Sequence, residues 1–267
     1  MALDNPAYSR NEAFSKQGAV STAQDMSAQD LQHLFEQPAT LPDREVMTVE
    51  NTVQKTVGAF AVLVVFAAIG WWVTPIAPFA YVGASIIGLV LAFVNIFKKE
   101  PSPGLILAYA AAQGVFVGGI SWFFESAYQG IVAQAVIATL AVVGATLALF
   151  ASGKVRASKK ATKVFLVAMV GYLLYSLVSV VLSLFGAAPG PWGLDSLPVF
   201  GIPLGLLIGP IVILLGAYSL VLDFDFIQQA VRNRAPKKYG WTGAFGIMVT
   251  VIWLYLEILR FIGIARD

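Results

Sequence analysis

The feature that most constrains this chain is a series of seven long apolar runs, at roughly 55–74, 79–97, 104–124, 130–151, 164–186, 199–226 and 241–264. Each approaches or exceeds the length needed to cross a bilayer's hydrocarbon core, about 20 residues of helix. A backbone surrounded by lipid has no water to bond, so only helices and closed barrels span it. Barrel strands alternate polar and apolar positions, whereas these runs are apolar on every side. The runs therefore predict an all-α membrane protein: seven transmembrane helices over residues 55–267, preceded by a polar segment, 1–54. Composition agrees, with 58% hydrophobic residues against 12% charged, far from the balance of a soluble domain. No internal repeat is evident.

The first 54 residues carry Asp4, Glu12, Asp25, Asp30, Glu36, Asp43, Glu45 and Glu50 against Arg10, Lys16 and Arg44. They read as a mostly disordered, acidic cytoplasmic tail. Ser27 followed by Asp30 could cap a short helix through Leu31, Leu34 and Phe35. No apolar core precedes residue 50, so a cleaved signal peptide is not expected and the first span acts as an uncleaved anchor.

Lys and Arg set the expected orientation. Lys98 and Lys99 follow span two. Lys154, Arg156, Lys159, Lys160 and Lys163 lie between spans four and five, and Arg232, Arg234, Lys237 and Lys238 between spans six and seven. The loops after spans one, three and five hold only the charges Glu125 and Asp195. This places the N-terminus and the even-numbered loops in the cytoplasm and the short C-terminus outside the cell's inner (plasma) membrane. Arg260 and Arg266 run against the last assignment. Trp71, Trp72, Trp122, Trp192 and Trp241 fall near span ends, where indoles favour the interface.

Three acids lie within the apolar runs: Asp223, Asp225 and Glu257. A carboxylate in a bilayer costs several kcal/mol on most scales, so it normally faces the bundle interior and marks function. The plainer reading is that Asp223 and Asp225 end span six at the interface, near Arg232 and Arg234. At about 100° per residue the two point to different faces of one helix. Counting from the turn near Pro236–Lys237 puts Asp223 and Thr250 at one depth, roughly 15 to 20 Å in. Glu257 sits about 10 Å nearer the outside, three residues from Arg260, its natural ion-pair partner.

Span six opens Gly201-Ile-Pro203-Leu-Gly205, then Gly209-Pro210 and Gly216. Pro203 and Pro210 each remove a backbone donor and predict kinks. Carbonyls freed at membrane depth are tolerated where they line a cavity or are buried in protein. Gly201, Gly205 and Gly209 form a four-residue stripe for close packing, as do Gly114 and Gly118 in span three.

Other classes find no support. There is no cysteine, and the only histidine is His33, so thiol, cysteine-metal and histidine-based sites are excluded. Phosphate-binding glycine loops, zinc helices of the His-Glu-x-x-His type and Gly-x-Ser-x-Gly elbows are missing. An intramembrane aspartyl protease needs two carboxylates close enough to share a proton, which positions i and i+2 of one helix do not supply. No enzymatic activity, no cofactor and no nucleic-acid partner is expected.

Met47-Thr-Val-Glu-Asn-Thr-Val-Gln-Lys-Thr56, Gln113-Gly-Val-Phe-Val-Gly-Gly-Ile-Ser-Trp-Phe-Phe-Glu125, Leu222-Asp-Phe-Asp-Phe-Ile227 and Trp253-Leu-Tyr-Leu-Glu-Ile-Leu-Arg-Phe-Ile-Gly263 together resemble the Bax inhibitor-1/YccA family. The opening Asn5-Pro6-Ala-Tyr-Ser-Arg10 is similar to an actinobacterial branch. The resemblance implies seven helices with the last central among them, and a pH-influenced calcium leak. It also implies a sensor pair of carboxylates on spans six and seven. Asp223 matches the first acid and Asp225 falls where the motif has its amide. Thr250 stands where the second carboxylate is expected, so the proton sharing of a close acid pair is absent. The basic latch residue of span two is not seen either, since 79–97 holds no Lys or Arg.

Two functional expectations result. One is a passive cation leak, calcium being the expected ion because it takes oxygen ligands. Asp223 is then the candidate calcium contact, Asp225 the inner exit and Glu257 an outer contact. The other is a regulatory membrane protein whose acidic tail binds membrane-protein, stress or quality-control partners.

Overall fold

The computed structural model describes residues 46–267. The expectations for His33, the Ser27–Asp30 helix and the acidic tail up to residue 45 lie outside the described residues.

Seven helices follow one another: α1 (Val49–Val73), α2 (Ala80–Phe97), α3 (Pro103–Ala127), α4 (Ile131–Ala151), α5 (Lys159–Leu184), α6 (Leu204–Arg232) and α7 (Gly240–Arg266). All seven are long and apolar enough to cross a membrane. Their edges depart from the apolar runs where local chemistry takes over. α1 begins six residues before its run because Thr48 caps it, accepting a hydrogen bond from Asn51 N at 3.0 Å. Glu50 also complements the dipole of the first turn. α5 likewise starts at Lys159, where Ser158 Oγ accepts from Ala161 N at 3.2 Å. Periodic hydrophobicity misses such solvated first turns.

Span six starts late. Residues 198–203 form a two-residue hairpin, β1 (Pro198–Val199) against β2 (Ile202–Pro203), with Val199 opposite Ile202. The turn residues Phe200 and Gly201 both have positive φ, 54° and 79°, as a tight hairpin turn of this hand requires. Pro203 therefore does not kink the helix. It is the residue before it, with φ −53°, and its missing N–H is no loss there. Gly201 drops out of the packing stripe for the same reason: a Cβ there would meet open space. Pro210 does lie inside α6, but the helix runs unbroken through it to Arg232. The expected break reduces to one missing donor, opposite the Leu206 carbonyl.

α7 is the central helix, packed against α1, α3, α4 and α6. Half of its most apolar stretch is buried, against 6% for α5, which lies at the periphery with Phe165 as its one buried residue. α1 and α3 meet backbone to backbone. A side chain at Gly118 would collide with the Ala67 backbone, and one at Gly114 with Leu63 O and Phe66, the close approach that small residues permit between membrane helices.

The loops α2–α3, α4–α5 and α6–α7 gather at one end of the bundle with the start of α1, here termed the basic end. There Met47 N donates to Ala235 O at 2.7 Å, and Lys238 bonds Glu100 at 2.8 Å. That hydrogen bond from Lys238 holds the Glu100 carboxyl below the ordinary carboxylate range.

Candidate functional site

α6 and α7 are antiparallel neighbours joined by a short turn, so residues equidistant from the turn share a depth. Asp223 is nine residues from the end of α6 at Arg232, and Thr250 ten residues into α7, about 14 and 15 Å respectively at 1.5 Å per residue. They meet. Thr250 Oγ1 donates to Asp223 Oδ2 at 2.7 Å, and Ser219 Oγ, one turn back on α6, lies 3.4 Å from Thr250 Oγ1. Asp223 is 3% exposed and Thr250 6%. Among the described residues no Lys or Arg forms an ion pair with Asp223. A carboxyl group is thus held inside the bundle with one hydroxyl as its partner, an expensive placement for its charged form.

Asp225 is not brought to this place. It lies two residues on, turned by about 200°, half-buried. Glu257 is not brought there either. Seven residues past Thr250, it belongs to a second polar layer about 10 Å further from the basic end.

That layer is built around Arg260. Its Nη2 lies 2.8 Å from Glu257 Oε2 and its Nη1 3.2 Å from Asp195 Oδ2. Tyr172 OH donates to Glu257 Oε1 at 2.6 Å, and Tyr175 OH to Asp195 Oδ1 at 2.7 Å. Trp253 Nε1 adds a third donor to Glu257 at 3.0 Å. Asp195 is 2% exposed, although it sits in the loop between α5 and α6, on a short 3-10 turn (Gly193–Ser196). The loop folds inward because Gly205 leaves room: a Cβ there would press on Asp195 and Ile264. Sequence reasoning treated Asp195 as an ordinary loop charge and missed Tyr172, Tyr175 and Trp253. The available signal was two tyrosines three residues apart, hence on one face of a span.

Between the layers the bundle is filled. Leu220 and Leu254 are both 0% exposed and share one apolar cluster, and Gly216 is packed against Leu254 and Trp253. Toward the basic end, Met47, Ile227, Ala230 and Ala235 form another apolar layer, each at most 5% exposed. Asp223 is closed off on both sides. Among the described residues no three acids or histidines converge on one point. Calcium takes 6–8 oxygen ligands in a resident site. One carboxylate and two hydroxyls fall short of that number.

A bundle of seven membrane-spanning helices around a central seventh, with a lone carboxylate enclosed between α6 and α7, defines the class: a polytopic helical membrane protein with an intramembrane acid. The particular family is equally clear. The family model described as Bax inhibitor 1 like matches residues 5–267, so the chain belongs to the Bax inhibitor 1 like family. No protein of curated function and no solved structure matches it.

Proposed function

We propose that the protein is a passive cation leak whose cargo is calcium, with Asp223 as the intramembrane contact. The observation that carries this reading is a carboxylate buried at 3% exposure with a hydroxyl and, among the described residues, no cation as its partner. A structural acid acquires a basic partner, as Asp195 and Glu257 do. An acid left with uncompensated charge attracts a mobile cation instead. The apolar layers on either side then act as the closed gate, and conduction requires α6 to move against α7 where Gly216 lets them touch. Glu257 serves the scaffold in this reading, and Asp225 lies on the basic side of the gate.

The distribution of Lys and Arg supports a cytoplasmic N-terminus and an external C-terminus in the plasma membrane. The two arginines that argue otherwise are held by protein acceptors. Arg260 has its two carboxylates, and Arg266 donates to Gln129 O at 2.8 Å and Gln134 Oε1 at 2.7 Å.

The test is calcium influx into liposomes containing the full chain. Asp223→Asn keeps an acceptor for Thr250 but removes the charge. Influx should fall about tenfold, the equivalent of roughly 1.4 kcal/mol on the barrier, while thermal unfolding shifts little. Unchanged influx in that variant removes Asp223 from the mechanism. With Thr250 in place of a second acid, wild-type influx should depend on pH more weakly than that of a variant carrying an acid pair.

A further inference from the structure

α1 and α4 both pack on α7 but scarcely touch each other, and a cleft runs between them. It consists of two cavities, of about 460 and 510 Å³, which share Phe60, Leu140 and Val251 as a waist. The cavity nearer the basic end is lined along α1 from Val49 to Phe60, a rise of about 16 Å. That is about half of the 30 Å hydrocarbon thickness, the depth of one leaflet. The second cavity continues along α1 to Trp72. Its walls are mostly apolar, with Ser121, Thr139 and Tyr255 as the polar exceptions, and the basic end of the first has a charged mouth. Arg156 stands there with its guanidinium 4.6 Å from the Phe150 ring centroid, donating to Gln228 Oε1 at 2.9 Å. Phe150 and Gln228 both line the cavity. Two wall residues thus hold a cation over the opening, and among the described residues that cation forms no ion pair.

We infer that this cleft binds an anionic phospholipid, with one acyl chain lying between α1 and α4 and the phosphate on Arg156. The wall chemistry accepts a hydrocarbon chain, the depth matches a single leaflet, and the guanidinium offers donors in the fork that suits a phosphate. A transmembrane helix of a second protein would fill the apolar part, but it would leave Arg156 without an anion at headgroup level. The bound chain would touch Val251 and Ile247 on the central helix and Phe224 on α6, next to the turn that carries Asp223.

Native mass spectrometry of the full chain in mild detergent tests this. Equimolar dioleoylphosphatidylglycerol and dioleoylphosphatidylcholine would be added together. The wild type should retain the anionic lipid about fivefold over the neutral one, the effect of one basic residue near a membrane surface. Arg156→Gln should bring that ratio to one. Leu147→Trp, which fills the cleft, should lower the occupancy of both lipids, and Leu173→Trp on the outer face of α5 should change nothing. The proposal is overturned if the wild type shows no preference, or if Arg156→Gln keeps it. It is equally overturned if glycerol phosphate alone displaces the lipid, since the cleft would then contribute nothing. Retention of a second copy of the chain, lost in Leu147→Trp, would assign the cleft to a helix instead.

Discussion

α6 and α7 carry buried acid at two depths and handle it in opposite ways. In the outer layer Asp195 and Glu257 share Arg260 and receive tyrosine and tryptophan donors, so each acid has a cation beside it and further hydrogen-bond donors. In the inner layer Asp223 has one hydroxyl. Two carboxylates around one guanidinium behave as structure, because removing any member strands the others in low dielectric. A carboxyl group with no countercharge is costly in low dielectric whenever it ionises, and a group so placed marks function more often than structure. The outer layer also joins parts of the chain that otherwise hardly meet. α5 is peripheral, and Tyr172 and Tyr175 give it polar links to α7 and the α5–α6 loop, beside Ser179, which accepts from Leu194 N.

The sharpest way to break this contrast is Arg260→Met. With Asp195 and Glu257 both buried and unpaired, the protein should lose about 3–5 kcal/mol, read as a large drop in the thermal unfolding midpoint in detergent. An unchanged midpoint would mean that the outer layer is not structural. The complementary change gives the inner layer a second acid. In Thr250→Asp the two carboxylates face each other across α6 and α7 and share one proton at low pH. As pH rises that proton leaves and the site gains a full negative charge. Calcium influx should then acquire a step of about tenfold between pH 5 and 8, steeper than the wild type's. Identical pH profiles would show that Thr250 does not govern the titration of this site. The smallest effect belongs to Tyr172→Phe. It deletes one hydroxyl bonded to both Glu257 and Arg260, while the ion pairs remain. A stability loss of about 1 kcal/mol is expected, with influx unaltered. If influx changed more than stability, the outer layer would belong to the ion path after all.

Much of the architecture was legible before any coordinates. Seven apolar runs mark seven helices because lipid leaves the backbone few alternatives. Equal distance from the α6–α7 turn puts Asp223 and Thr250 at one depth because an antiparallel hairpin allows little else. Span ends were less legible, since caps such as Thr48 and Ser158 extend a helix into polar sequence. Pro203 misled because a proline at a helix start and one that bends a helix look alike until the flanking hairpin is known. The outer layer was half visible: Glu257 and Arg260 are local in sequence, but Asp195, Tyr172 and Tyr175 come from elsewhere.

What the sequence determined alone is whatever follows from transfer between water and lipid: the spans, their number, the basic loops and the rarity of acid within them. Each of these depends on one segment and its solvent. Only the tertiary structure decided which acids are compensated, because compensation depends on partners far apart in the chain. It took the inward fold of a loop against Gly205 to turn Asp195 and Glu257 into a closed network around Arg260, and the packing of α6 on α7 to leave Asp223 with a single hydroxyl.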